Sequence, residues 1–350
     1  AKKHNLAIQV IKKLINSYDD PYSSRVAKIR LASLYESRKS YSDAVKTYLS
    51  LLEANTTSWQ AGIAAKRIIS LSMKYNITIS ASNYITILKA LYGTKHYKKA
   101  YNLLQRTKSI LPDSARELMI KIYLKRRKYA AADRMISQEK NKDKIQLMAA
   151  VTLWKSYRKH HAMRYFRKVL NSRNNEIKQI ALRNTAVYYE DRRLAGYEKY
   201  LMQYITSYTD KYAEKFYWQL GRNMLKNRNF KKALKIFKDS IAKYPEGSNS
   251  DRCRFWIIKL SNDSSLRKKT LYDIAYYNPN SSYTWVLLKK HMLSLSLEKI
   301  QKNYKTAVKN DKHQAAHYYH MLAYVKEKNF INRDNRIGDF KYPDGDKIKD

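Results

Sequence analysis

The stretch FYWQLGRNMLKNRNFKKALKIFKDSIAKYP, residues 216–245, decides the fold of this 350-residue chain. Apolar residues recur in it at helical spacing on both sides of a short polar turn, which predicts two α-helices packed on one another. The positions that define the pair are Leu220, Gly221, Phe230, Ala233, Phe237 and Pro245. Small residues let the two helices cross closely, and the proline ends the second helix because it cannot continue one.

The same arrangement recurs toward the N-terminus with a period of about 34 residues. The predicted copies occupy residues 31–55, 84–112, 116–137, 146–170 and 214–245. The small residue at the predicted crossing point is Ala44, Ala100, Ala132, Ala162 and, in a degenerate copy, Ala195. Such self-similarity is typical of helix pairs that bury their apolar faces only by stacking on their neighbours.

The copy at residues 214–245 resembles the tetratricopeptide consensus at several positions, in the right order and at the right spacing. The resemblance implies an all-α fold, an α-solenoid of tetratricopeptide-like helix pairs that form a right-handed superhelix. We expect one such array over residues 1–331. Residues 332–350 contain Gly338, Pro343 and Gly345 and lack a helical period, which predicts a polar linker or a truncated terminus.

The composition agrees with a helical fold and is strongly basic. Gly and Pro are scarce, with 7 and 5 residues, which argues against a fold rich in strands or loops. The chain has 71 Lys and Arg against 29 Asp and Glu, a formal net charge of +42 that favours anionic partners. Lys, Asn, Ile and Tyr are enriched together, however, and the codon bias of an AT-rich genome explains the charge equally well.

Cysteine usage and hydropathy exclude two classes of protein. The single cysteine, Cys253, rules out an internal disulfide and a multi-cysteine metal site. No apolar run reaches the length of about 18 residues that a membrane-spanning helix needs. Because the chain starts at Ala1 without methionine, we expect it to be processed or cut from a longer protein that has lost its targeting segment.

The sequence contains no recognisable catalytic or cofactor motif. The phosphate-binding patterns G-x-x-x-x-G-K and G-x-G-x-x-G and the nucleophile elbow G-x-S-x-G are all missing. Two carboxylate pairs, Glu190 with Asp191 and Asp19 with Asp20, lie in basic stretches that give no reason for a raised pKa. We therefore expect helix capping or surface pairing from them, and neither a catalytic residue nor a cofactor.

Three histidines raise the question of a metal site. His313, His317 and His320 stand at i, i+4 and i+7, so they share one helix face. No carboxylate at ligand spacing accompanies them, and Cys253 is remote in sequence. We therefore predict no metal.

Aromatic doublets provide the candidate ligand contacts. Neighbouring residues on a helix point about 100° apart, so that one tyrosine of a doublet can pack inward while the other faces a groove. The register of the repeats adds a basic position and a single tyrosine to the doublets. The candidate groove residues are therefore Tyr189, Arg222, Tyr277, Tyr283 and Tyr319.

Two segments carry a second resemblance. Residues 242–248, AKYPEGS, follow the helix pair that contains Gly221 and Arg222, and residues 276–283 contain Asn-Pro-Asn-Ser. Over about residues 200–290, this pattern is similar to the N-terminal superhelical region of bacterial soluble lytic transglycosylases. The resemblance implies a scaffold around a separate lysozyme-like domain that carries a Glu-Ser motif and acts on peptidoglycan. The pair Glu36-Ser37 lacks the Gly-Leu-Met-Gln that follows in that family, so we assign it no catalytic role.

Three functions follow from these patterns. The first is a non-catalytic scaffold of a bacterial envelope protein, located in the periplasm or envelope, that binds peptidoglycan or a protein partner. The second is a tetratricopeptide adaptor, in the periplasm or the cytoplasm, that holds an extended peptide. The third, an RNA-binding repeat, is the least expected, because basic residues are spread through every segment of the sequence instead of gathering on one face.

Overall fold

The computed structural model describes residues 2–17 and 20–327. Within these ranges the chain forms nineteen α-helices and one short 3-10 turn, and it contains no strand. The predicted all-α helical-repeat solenoid is thereby confirmed. The predicted linker at 332–350 lies outside the described residues. None of the described helices is long and apolar enough to span a membrane.

The described residues fall into two compact units, one within Ala1–Ala181 and one within Leu182–Asp350. Unit 1 begins with α1 (Lys2–Ser17), α2 (Pro21–Ser37), α3 (Tyr41–Ala54), α4 (Trp59–Tyr75) and α5 (Ala81–Gly93). It continues with α6 (Tyr97–Thr107), the 3-10 turn Asp113–Ala115, α7 (Arg116–Lys125), α8 (Tyr129–Ser137), α9 (Lys142–Trp154) and α10 (Lys159–Lys168). The boundary between the units falls inside α11 (Asn175–Asp191).

Unit 2 contains the helix pair at residues 216–245, from which the fold was predicted. Its helices are α12 (Tyr197–Ser207), α13 (Lys211–Lys226), α14 (Phe230–Lys243), α15 (Ser250–Leu260), α16 (Ser264–Tyr277), α17 (Ser282–Ser294), α18 (Leu297–Lys309) and α19 (His313–Glu327). Each helix from α1 to α9 packs on the next one, as does each helix from α12 to α16, and α19 packs on both α17 and α18.

One turn geometry recurs between paired helices. A residue in the left-handed region ends the first helix at Lys39, Lys95, Arg127, Tyr157, Arg193, Arg228 and Asp311. The next backbone N–H then donates to a carbonyl five residues earlier, as His96 N does to Leu91 O at 2.8 Å and Asn229 N does to Met224 O at 2.8 Å. This bond satisfies a carbonyl that the helix end leaves open, and glycine is the residue that usually occupies the left-handed position. None of the seven residues is glycine.

The alanines predicted at the helix crossings are buried, with one exception. Ala44, Ala100, Ala132 and Ala162 are all 0% exposed. Ala195 instead lies exposed in the turn between α11 and α12, so its prediction as a crossing residue was wrong. The turn between α11 and α12 is longer than the other turns between paired helices, so α12 begins only after Ala195.

In unit 2, Gly221 faces a neighbouring helix at very short distance. A Cβ atom at Gly221 would stand 2.7 Å from Cζ and 2.8 Å from Cδ1 of Phe237. The ring of Phe237 is fully buried and lies 5.7 Å from the ring of Trp218, centroid to centroid. Gly221 therefore allows α13 and α14 to pack with the ring of Phe237 between them.

Candidate functional site

A large groove on unit 1 lies over three stacked helices, α5, α7 and α9. It has a volume of about 910 Å³ and is lined by residues of α5, α7 and α9, together with the α3–α4 and α8–α9 connections. Within the unit, α5 packs on α7 and α7 packs on α9, so the three helices form a continuous face. Repeat proteins commonly use such a face of stacked helices to bind partners.

Gly93 sets how closely the first connection approaches this face. A Cβ atom at Gly93 would lie 2.7 Å from the backbone oxygen of Thr56, so a larger residue would push the α3–α4 connection away. Tyr92 lies beside it, half-buried in the groove wall. Burial raises the pKa of Tyr92 to about 12, so its hydroxyl stays protonated at neutral pH and can donate a hydrogen bond.

Part of the charge in the groove is already paired. Arg116 Nε donates to Glu139 Oε1 at 2.6 Å, and its Nη1 lies 3.6 Å from Asp113 Oδ1. Lys121 lies 3.8 Å from Glu117 on the same helix. These pairs hold Arg116 against the α8–α9 connection and the 3-10 turn, and they hold Lys121 along α7.

Three other lysines of the groove remain without an ion pair. Lys89, Lys140 and Lys144 are exposed, and no carboxylate of the described residues lies within ion-pairing distance of them. Their ammonium groups are available to an incoming anion. The residues that line the groove include neither histidine nor cysteine.

The five residues predicted to face a groove all belong to unit 2, and the structure places them in different surroundings. Tyr189 is half-buried, and its ring packs 4.7 Å from that of Tyr200. Arg222 is exposed and lines a cleft of about 290 Å³ with Glu190 and Tyr197. These two predictions remain open to a ligand test.

The remaining three predicted groove residues contribute to packing. Tyr277 is half-buried with the guanidinium of Arg254 4.7 Å from its ring centroid. Tyr283 and Tyr319 are 6% and 8% exposed and belong to one apolar cluster. The hydroxyl of Tyr319 also lies 2.8 Å from that of Tyr272. Tyr283 is therefore largely buried, whereas Tyr319 reaches the lining of two clefts of about 470 Å³ and 580 Å³ beside Tyr272. A ligand-facing role for either residue stays a prediction.

Glu190 also departs from the sequence expectation. Its carboxyl is half-buried, and this burial raises its pKa, against the opposing effects of Lys215 and Arg222. The expectation of a solvated carboxylate with an ordinary pKa was wrong for this residue. Asp19 lies outside the described residues, whereas Asp20 caps α2 by accepting from Ser23 N at 2.7 Å.

Two other residues noted in the sequence have structural partners. The carboxylate of Glu36 accepts hydrogen bonds from Tyr48 Oη at 2.8 Å and Arg67 Nε at 3.1 Å. His313 Nε2 lies 3.0 Å from Asp311 Oδ1. In the part of the chain that the structure describes, no three His, Cys, Asp or Glu residues come together as metal ligands would.

A buried arginine joins the two segments at residues 242–248 and 276–283. Arg254 Nη1 donates to Asn278 Oδ1 at 2.7 Å, and Nη2 donates to the backbone oxygen of Pro245 at 2.7 Å. Glu214 accepts from Asn249 N at 2.9 Å and so holds the same connection from its other side. The two segments therefore serve the packing of α15 between its neighbours.

Sequence reasoning missed the groove of unit 1. The best match to the repeat consensus lies in unit 2, and all five predicted groove residues lie in that unit as well. A usable signal was nevertheless present, because Lys89 and Tyr92 stand at i and i+3 and so share one face of α5.

Comparison with known proteins leaves the family open. No family model matches the chain, and no curated protein matches it either. Eleven chains of solved structures match, among them a monomeric mutant of IFIT1 with m7Gppp-AAAA. That match covers 92% of this chain and 94% of the other, at 12% identity and a TM-score of 0.25. So low a score carries no argument, and the assignment as an all-helical repeat protein rests on the helices themselves.

Proposed function

We propose that this chain is a non-catalytic helical-repeat scaffold that binds an extended, acidic segment of a partner protein in the groove over α5, α7 and α9. The observation that carries the proposal is the set of three exposed lysines, Lys89, Lys140 and Lys144, that line the groove without a carboxylate partner among the described residues. Exposed ammonium groups that make no ion pair with the described residues can bind the carboxylates of a ligand.

The dimensions of the groove favour an extended segment. Neighbouring packed helices lie roughly 8–10 Å apart, so three of them span about 20 Å. An extended chain advances about 3.3 Å per residue, so about six residues cross this face. Tyr92 lines the groove, and its phenolic hydroxyl can donate a hydrogen bond to the peptide backbone.

Fluorescence anisotropy with a labelled peptide tests the proposal. The probe is an alternating Glu-Ser peptide of about twelve residues, twice the estimated span. We expect binding that weakens as salt screens the attraction. The double variant Lys89→Glu with Lys144→Glu should bind about tenfold more weakly, because two exposed charge contacts become repulsions.

The matched control reverses two lysines outside the groove. Lys13→Glu with Lys46→Glu changes the net charge equally, and both side chains are exposed on α1 and α3. This control should change affinity by less than about twofold. Equal losses in both double variants would mean that only the overall field attracts the peptide, and the groove would then be the wrong site.

A second candidate is the peptidoglycan scaffold, in the periplasm or cell envelope. It is favoured by the resemblance of residues 242–248 and 276–283 to lytic transglycosylases. Stem peptides of peptidoglycan carry carboxylates, so the same lysines would attract them. Isolated sacculi should sediment the chain at low salt and release it at high salt. Sacculus binding without binding of the Glu-Ser peptide would select this candidate over the adaptor.

A further inference from the structure

Three successive turns of unit 1 lie side by side along one edge. They are the α5–α6, α7–α8 and α9–α10 turns. Lys125 Nζ donates to Ser156 Oγ at 2.6 Å and lies 5.2 Å from the ring centroid of Tyr97, so Lys125 touches both neighbouring turns. Arg158 Nη1 donates to the backbone oxygen of Leu124 at 2.9 Å. We refer to Lys95, Arg127, Lys128 and Tyr157, which project from these turns, as the basic edge.

The basic edge contains no acidic residue. Residues 94–101, 124–132 and 154–163 carry three, four and three Lys or Arg, respectively, and no Asp or Glu. A helix N-terminus favours carboxylates in its first turn, yet the first turns of α6, α8 and α10 contain none. Asp133, further along α8, forms an ion pair with Arg164, whose Nη2 lies 2.9 Å from Asp133 Oδ2. Its Oδ1 accepts a hydrogen bond from Tyr165 Oη at 2.9 Å.

The cations of this edge are close enough to repel one another. The pKa of Lys125 is lowered by burial and then by the charges of Arg158 and Lys95. The pKa of His161 is lowered by burial and by several neighbouring cations, including Arg158 and Arg127. Lys125 and Arg158 offset this repulsion through the hydrogen bonds that join neighbouring turns. Lys95, Arg127 and Lys128 make no ion pair with any carboxylate of the described residues.

The turn positions of this edge carry large, exposed side chains. Lys95, Arg127 and Tyr157 adopt φ values of 63°, 59° and 58°, a region in which every residue except glycine is strained. Tyr157 is also 93% exposed, so its ring adds nothing to the core. A strained backbone that presents an open aromatic ring among cations is an arrangement that a ligand can use.

We propose that the basic edge binds a single-stranded polynucleotide. The ammonium and guanidinium groups of Lys95, Arg127 and Lys128 contact successive phosphates, and the ring of Tyr157 stacks on a base. Aromatic rings beside a basic track bind single strands with little sequence preference, because every base has a flat face. An acidic protein would satisfy the cations but would leave the exposed ring without a role. This site is separate from the groove lysines and goes beyond the proposed function.

The binding experiment uses the full chain and a labelled oligouridylate of about twelve nucleotides. For single strands, the logarithm of affinity falls with the logarithm of salt concentration by about 0.7 for each phosphate neutralised. Three cations therefore predict a slope of about −2, and Arg127→Gly should reduce its magnitude by about 0.7. Matching oligothymidylate and a duplex of equal length distinguish RNA, DNA and double-stranded ligands.

Tyr157→Gly separates a binding role from a structural one. Glycine relieves the left-handed backbone, so the variant should melt at a higher temperature than the wild type. Loss of one stacked base should nevertheless weaken oligouridylate binding by about 5-fold to 150-fold. Lys39→Gly matches Tyr157→Gly in backbone and Arg127→Gly in both backbone and charge, because Lys39 has the same turn conformation at φ 60° but belongs to the α2–α3 turn. It should leave affinity unchanged.

Two results would overturn the proposal. One is unchanged oligouridylate affinity in Tyr157→Gly and Arg127→Gly. The other is tighter binding of polyglutamate than of the oligonucleotide at equal salt, which would identify an acidic protein as the occupant of this edge. The double variant Lys89→Glu with Lys144→Glu, read with the Glu-Ser peptide, tests the groove on its own, so failure of one proposal can be told from failure of the other.

Discussion

Replacing Arg254 with lysine should destabilise unit 2 by about 2–4 kcal/mol. The Arg254 side chain is 2% exposed, and its two terminal nitrogens each hold an acceptor at 2.7 Å, on Asn278 and on Pro245. A lysine has one nitrogen on a flexible stem and cannot reach both acceptors with the geometry of a guanidinium. One buried acceptor then loses its donor.

The magnitude follows from these contacts. A hydrogen bond from a charged donor is worth about 1.5–3 kcal/mol, so loss of one accounts for most of the effect. The guanidinium also lies 4.7 Å from the ring centroid of Tyr277, and a cation over an aromatic face adds about 0.5–2 kcal/mol. Burial already lowers the pKa of Arg254, and an ammonium is more strongly hydrated, so it would be still more costly to bury.

Urea unfolding combined with hydrogen exchange measures this effect and locates it. We expect a lower unfolding midpoint and faster amide exchange at residues 245–249 and 278–281, the two connections that Arg254 joins. The control is Arg228→Lys, an exposed arginine for which we expect a change of less than about 0.5 kcal/mol. If Arg254→Lys unfolds at the same midpoint as Arg228→Lys and exchange stays slow, the arginine does not hold these connections.

Three further changes test the packing and electrostatics of unit 2. Gly221→Ala should lower stability by about 1 kcal/mol, because overpacking against Phe237 exceeds the gain in helix propensity; adding Phe237→Leu should restore it in chemical denaturation. Burial raises the pKa of the Cys253 thiol to about 12, so maleimide should label the native chain slowly at neutral pH and rapidly in urea; equally fast labelling in both would contradict its burial. The folded-state pKa of Glu190 is raised, so its ionisation removes stability as pH rises from the ordinary value of 4.5 to the folded value. Glu190→Gln should therefore be more stable than the wild type at neutral pH but not in acid, and a difference in melting temperature that is independent of pH would refute this.

The fold could be predicted from sequence because its signals are local. The spacing of Leu220, Gly221, Ala233 and Phe237 sets which faces of two neighbouring helices meet, and that contact needs no information from distant residues. Repetition of the pattern then implies stacking. Ala195 escaped correct placement because the length of a turn depends on backbone geometry that apolar spacing does not encode.

The ligand-facing tyrosines could not be predicted in the same way. The sequence shows that two neighbouring tyrosines on a helix point in different directions. Whether one or both are buried depends on how many other helices pack around them. Tyr318 and Tyr319 are both buried, because α16 packs against α19 and brings Tyr272 against both rings. Burial on two sides is a tertiary property, and no helical period reveals it.

The basic edge could not be predicted from the sequence for a related reason. Basic residues occur in every segment, and their average along the chain indicates no particular face. The fold of unit 1 gathers residues 94–101, 124–132 and 154–163, which lack acidic residues, at neighbouring turns. Carboxylates occur instead at the starts of α7 and α9, where Glu117 and Asp143 lie in the first turn. A charge pattern with the period of the repeat becomes a continuous surface only after the helices stack.

The left-handed turn residues show which positions the fold constrains and which it leaves free. All seven turns share one backbone conformation and one hydrogen bond, yet the residue at the strained position is lysine, arginine, tyrosine or aspartate. The conformation is therefore imposed by the paired helices, and side-chain identity at this position has little structural purpose. Glycine would relieve the strain at each turn. At Tyr157 the side chain is 93% exposed and adds nothing to the core, so the proposed stacking on a base would give it a role that the fold does not.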